Sequence, residues 1–207
     1  MAERKKMIRY HVQNVKAAFK NENGEWDTPF SIGFADRLAL QPDYNEVKFY
    51  GDGIIIAILA DDKGKTGTIT IVAIEDEYEF KCGRKMEVDG GIAKINQISS
   101  VPHCIYFENI LFLDGIRTIE KNWLINCTSG QSEETFEQTK DDPTVNYLEI
   151  PINVMGTFLL DSTGNANFVD ENGNERMSTQ FIKKPTDVGY ATFGDAVPVI
   201  KAKAVTP

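Results

Sequence analysis

The sequence predicts a mainly β fold, a β-sandwich or partial barrel with one short flanking α-helix. Strand-length runs of β-branched and aromatic residues recur along most of the chain, separated by Gly, Asn, Asp and Pro clusters. Only one stretch, residues 75–82, carries apolar residues at helical spacing. At 207 residues the chain is long enough to bury a core, hiding about 70% of its unfolded surface.

Residues 8–19 read as a first strand, with Val12 and Val15 out of strict alternation. Residues 21–29, rich in Asn, Gly, Asp and Pro, read as a loop. Residues 41–53 are polar and turn-forming, yet carry Tyr44, Val47, Phe49 and Tyr50. Residues 54–60, Ile-Ile-Ile-Ala-Ile-Leu-Ala, are too apolar for a half-wet strand. They are expected to be covered on both faces, by the core and by a neighbouring subunit. Residues 61–65 read as a turn, and the alternating stretch 66–74 as the returning strand of a hairpin.

The helix is expected over 75–82. Glu75, Asp76 and Glu77 complement its dipole, Ile74, Tyr78 and Cys82 share a face, and Gly83 stops it. Being short, it must be held by packing. Strands resume at 104–113, turn at Asp114-Gly115, and return over 116–128. There Ile119, Trp123, Ile125 and Cys127 share one face, with Glu120, Asn122 and Asn126 on the other. Residues 144–154 place Leu148, Ile150, Ile152 and Val154 inward. Two more turns are read at 162–165 and 171–174. The expected organisation is a β domain over 1–155 and a C-terminal hairpin or arm extension over 156–207.

Charge narrows the function. Lys and Arg number 22 against 31 Asp and Glu, a net −9, and gripping duplex DNA depends on cationic neutralisation. No apolar run approaches the roughly 20 residues of a membrane helix, and basic residues 4–9 lead into no signal segment. Synthesis in a cytoplasm without signal-peptide export is expected. Cys82, Cys104 and Cys127 form no CxxC pair and read as free, buried thiols.

The catalytic and ligand-binding motifs fail on spacing. Gly64-Lys65-Thr66 resembles the end of a phosphate loop, but the earlier glycine would fall at Leu59. The acidic stretches 161–165 and 170–174 misplace the glycine or the final Glu of a calcium loop. His11 and His103 lie in no nucleophile motif. No cofactor, metal or enzymatic activity is expected.

The order of segments resembles the major tail tube protein of long-tailed, siphovirus-type phages of Gram-positive hosts. Val12-Gln13-Asn14-Val15 resembles that family's first strand, and Lys48-Phe49-Tyr50-Gly51-Asp52-Gly53 its segment before a strongly apolar strand. Gly67-Thr68-Ile69-Thr70-Ile71 leading into Glu75-Asp76-Glu77-Tyr78 resembles its strand-to-helix junction. Asn126-Cys127-Thr128, then Leu148-Glu149-Ile150, resembles its closing strands. The match covers roughly residues 8–154; stretch 86–91 and the region beyond 155 lie outside it.

The resemblance implies a tail-tube-type β-sandwich that assembles, as hexameric rings in a stack, into a virion conduit for DNA ejection. Implied partners are further copies of itself, the tape measure, tail terminator and distal tail proteins, with DNA only in transit. The location would be the virion tail, built in the host cytoplasm, with no membrane. Lys48, Phe49, Tyr50, Ile54, Ile56 and Ile58 are the candidate ring-stacking and interface residues. The acidic charge suits a wall that must repel its cargo. Competing readings are a tail terminator, a baseplate hub or a contractile inner tube on the same fold. From another class comes a carbohydrate-binding β-sandwich, which needs clustered exposed aromatics.

Overall fold

The computed structural model describes residues 7–96, 99–113, 115–133, 147–158 and 177–198. The turns read at 162–165 and 171–174 lie outside them. In chain order the strands begin with β1 (Met7–Phe19), β2 (Phe30–Ser31), β3 (Gly33–Gly51) and β4 (Ile54–Ile74). Helix α1 (Asp76–Lys81) and the strands β5 (Lys85–Val88), β6 (Gly91–Lys94), β7 (His103–Leu113) and β8 (Ile116–Ser129) follow. β9 (Leu148–Met155), β10 (Thr157–Phe158), β11 (Met177–Ser178) and β12 (Gln180–Lys183) complete them. The fold is mainly β, with one short helix.

Eight strands form one antiparallel sheet in the order β2-β1-β7-β8-β9-β4-β3, with β12 added to β8. The two ends of that order are one stretch of chain: β2 and β3 are separated only by Ile32. Residues 30–31 pair with β1 while 33 onward pair with β4. The Ile32 amide bonds to the Val15 carbonyl, and the Glu75 amide to the Ile32 carbonyl. The sheet therefore curls into a barrel, closed at this end by a chain that changes partner.

The barrel interior holds Val12, Val15, Phe19, Ile32, Ile69, Ile71, Ile105, Phe107, Leu124, Ile150, Ile152 and Val154. Two bulges explain departures from simple alternation. Asn14 (φ 54°) adds a residue to β1, which turns both Val12 and Val15 inward. Asn126 (φ 56°) does the same in β8 and moves Cys127 from the Trp123 face to the interior. The helix closes one end. Asp76–Lys81 lies within the expected span, with Glu75 and Cys82 as its caps and carboxylates in the first turn. Tyr78 and Cys82 drop into the core, and Ile74 packs against it.

The outer face of β1, β7 and β8 carries a second apolar layer. Ala18, Cys104, Tyr106, Trp123 and Ile125 are covered by Phe193 and Val197. Residues 184–198 cross this face as a strap whose carbonyls receive the sheet's donors. Trp123 Nε1 bonds to the Phe193 carbonyl at 2.7 Å, and Lys121 Nζ to those of Tyr190 and Ala191. The Tyr190 hydroxyl returns a bond to the Ile119 carbonyl. Of the described part of 156–207, residues 180–198 are built onto the main sheet through β12 and this strap, while β10 and β11 pair with each other.

The expected hairpin of 54–60 with 66–74 is not formed. These stretches are one uninterrupted strand, β4, whose partner is β3 throughout. The polar stretch 61–65 is a bulge instead of a turn, with the register slipping between Asp43 and Tyr44. The Gly64 amide bonds to Asp62 Oδ1. Gly64 (φ 116°) presses so close to β9 that an added Cβ would stand 2.1 Å from the Val154 carbonyl oxygen. A glycine that reads as a loop signal is here a close-approach position. The supposed loop 41–53 is likewise the second half of β3, closed by a tight turn at Asp52 and Gly53, both with positive φ.

Candidate functional site

β9 accompanies β4 only from Gly64 to Ile71. Beyond that point β3 and β4 continue alone, as a two-stranded arm of residues 43–62. From Tyr44↔Asp62 to Gly51↔Ile54 it projects about 25 Å, at roughly 3.4 Å per residue. Exposed here are Tyr44, Val47, Phe49, Tyr50, Ile54, Ile55, Ile56, Ile58 and Leu59. The coverage expected for 54–60 is absent within the subunit: Ile54 is 67% and Ile56 68% exposed.

All six candidate residues fall near the tip of this arm. Lys48 lies opposite Ile58, Phe49 opposite Ala57, Tyr50 opposite Ile55 and Gly51 opposite Ile54. Ile56 is left over where the register slips between Phe49 and Tyr50, and its side chain closes over the Gly51 Cα. Cross-strand partners share a face. One face therefore carries Val47, Phe49, Ala57, Leu59 and Ile54 along its outer half. The other mixes Tyr44, Glu46, Lys48, Tyr50, Ile55 and Ile58, and Lys48 pairs with Glu46 at 3.2 Å. Ile54 and Ile58 point to opposite sides, so the arm is apolar on both.

At the arm's base the barrel is open. A cavity of about 700 Å³ lies between β1 and β3, lined by Arg9, His11, Asp36, Arg37, Lys65 and Glu120 among others. Glu120 and Asn122, read from alternation as the polar face of their strand, point into this interior and are buried. Asn122 accepts from Gln180 Nε2 at 2.9 Å, and Gln180 accepts from Lys65 Nζ at 2.6 Å. Burial lowers the Lys65 pKa, although Asp62 opposes the shift. Arg9 reaches the Glu120 carboxylate at 3.5 Å. The wide mouth thus mixes acidic and basic side chains.

A second polar cluster is sealed under the helix. His103 Nδ1 lies 2.9 Å from the Val101 carbonyl and Nε2 lies 3.1 Å from the Tyr78 hydroxyl. A carbonyl only accepts, so Nδ1 carries the proton and Nε2 accepts from Tyr78. Tyr78 then receives the Ser129 hydroxyl at 2.9 Å, and Ser129 accepts from Arg84. Burial holds His103 down to about 4, against the Val101 bond, and raises Tyr78. Arg84 also bonds to the Gly130 carbonyl and pairs with buried Glu79 at 3.7 Å. With His103 neutral and every member buried, this cluster braces the closed barrel end. Cys82, Cys104 and Cys127 are free and buried, and burial lifts Cys104 to about 11.

No known family model matches this chain, and no curated protein matches it.

Proposed function

We propose that the chain is a self-assembling structural protein, of the tail-tube type that its segment order resembles. In that role it would stack as rings around a conduit for DNA. The observation that carries the reading is the arm: a two-stranded ribbon with large apolar residues exposed on both faces. A lone ribbon with free edges and an apolar surface is a liability for a monomer and an asset for a polymer. The net charge of −9 fits a conduit that does not retain nucleic acid.

Negative-stain electron microscopy and light scattering of the purified chain test the proposal. Rings or tubes are expected as concentration rises. A chain that stays monomeric at every concentration and inside purified virions overturns it.

A further inference from the structure

The barrel mouth holds a buried acid that its own chain does not fully satisfy. Glu120 is 2% exposed and lines the cavity of about 700 Å³. Arg9 Nη2 stands 3.5 Å from each of its carboxylate oxygens, and no other donor to them is found among the described residues. Charge-assisted bonds between such groups ordinarily close to about 2.8 Å, and a buried carboxylate needs several donors. Its neighbours are engaged elsewhere. Asn122 donates to the main-chain carbonyl of Glu120 and accepts from Gln180, and Lys65 is bonded to Gln180 at 2.6 Å. Arg9, by contrast, is 53% exposed, so its guanidinium is free to swing outward and uncover the acid.

Charge and wall composition together define what fits. A tightly closed ion pair would leave no place for a ligand; one held at 3.5 Å keeps both partners available. Arg37 and Lys65 stand around the mouth together with Asp36, so neither a plain cation nor a plain anion is matched throughout. A zwitterion is matched: its ammonium replaces Arg9 on Glu120, and its carboxylate takes the planar fork of Arg9. Beside this pair the cavity is apolar, with Val12, Leu38, Leu40 and Phe107 on its inner wall. Its volume falls in the range of about 300–1,000 Å³ typical of small-ligand sites.

We propose that the barrel mouth binds a free α-amino acid with an apolar side chain. Glu120 and Arg9 hold the head group, and Leu38, Leu40 and Phe107 receive the side chain. The site needs neither the arm nor a polymer, so it stands or falls apart from the self-assembly reading.

Ligand-observed saturation-transfer NMR on the purified, folded chain tests this with L-leucine, N-acetyl-L-leucine and L-leucinamide. Leucine is expected to bind saturably. The acetylated form lacks the ammonium and the amide lacks the carboxylate, so each leaves one buried charge unpaired and should bind at least about tenfold more weakly. Arg9→Gln alters a half-exposed side chain, so the fold should survive while leucine binding falls by a similar factor. Glu120→Gln should do the same, and Arg9→Gln carries the test whether or not that buried variant folds. The absence of a saturable leucine signal overturns the proposal. So does N-acetyl-leucine binding as tightly as leucine, which would mark a site for apolar acids, or leucinamide doing so, which would mark a site for plain ammonium groups. Undiminished leucine binding in folded Arg9→Gln would place the ligand outside this cavity and overturns it too.

Discussion

Tyr78 and His103 share a single proton-ordered contact of 3.1 Å inside the closed end of the barrel. The ring is stacked against Phe19 and edge-on to Tyr78, leaving no room for water to stabilise an imidazolium. Protonating His103 at Nε2 takes away the acceptor for the Tyr78 hydroxyl proton and places a charge in a buried site.

That arrangement sets a pH dependence. The folded pKa of His103, about 4, lies below the 6.5 of the unfolded chain. The unfolded state thus binds the proton first. Stability is whole above pH 6.5 and falls as pH drops towards 4, by about 3 kcal/mol in total. Thermal melts from pH 7.5 to 4.5 should show the loss, and His103→Gln should flatten it. An equal slope in that variant would place the titration elsewhere.

Gly64 should not tolerate a side chain. Gly64→Ala forces a Cβ towards the Val154 carbonyl oxygen at a positive φ, at a cost of about 3 kcal/mol. Gly24→Ala, also at positive φ but in open space, should cost about 1 kcal/mol. Denaturant melts of the two variants compare packing plus strain with strain alone.

Replacing Phe49 and Tyr50 with Ser should leave the fold intact and stop assembly. Both side chains are exposed on the arm, so stability should shift by no more than about 0.5 kcal/mol for each. Circular dichroism reads the first half of this prediction and electron microscopy the second. Normal elongation, or an unfolded double variant, would remove the arm tip from the contact.

The three thiols should be silent to an aromatic disulfide reagent in the native state and all react in denaturant. Their burial and the raised Cys104 and Cys127 pKa values both suppress thiolate. Rapid labelling at neutral pH would mean that the barrel end or the strap opens readily.

Helix α1 was readable because three local signals coincide: first-turn carboxylates, Ile74-Tyr78-Cys82 spacing and Gly83. β9 was readable from strict alternation. The arm was not, because residues 54–60 carry a composition that normally marks burial, yet Ile54, Ile55, Ile56, Ile58 and Leu59 are exposed. Residues 41–53 and 61–65 misled for the opposite reason, polar turn residues occupying solvated strands and a bulge. Trp123 is core as expected, but on the outside of the barrel. No local pattern tells inner from outer wall when both are covered, so Glu120 and Asn122 gave no sign that they face the interior. That distinction is made by Phe193 and Val197, some 70 residues away in sequence. The candidate residues themselves lie together, as the segment 48–58 implied; the open mouth at the arm's base had no signal in the sequence.

The strap also imposes an order of events during synthesis. Trp123, Tyr106 and Cys104 are translated well before the residues that roof them, so a nascent chain can roll its barrel yet still show a bare aromatic flank. That flank is sealed only when Phe193 and Val197 leave the ribosome. A chain that had reached the arm but not the strap would expose two apolar surfaces at once. Slow translation of the final third should therefore raise the yield of misfolded protein.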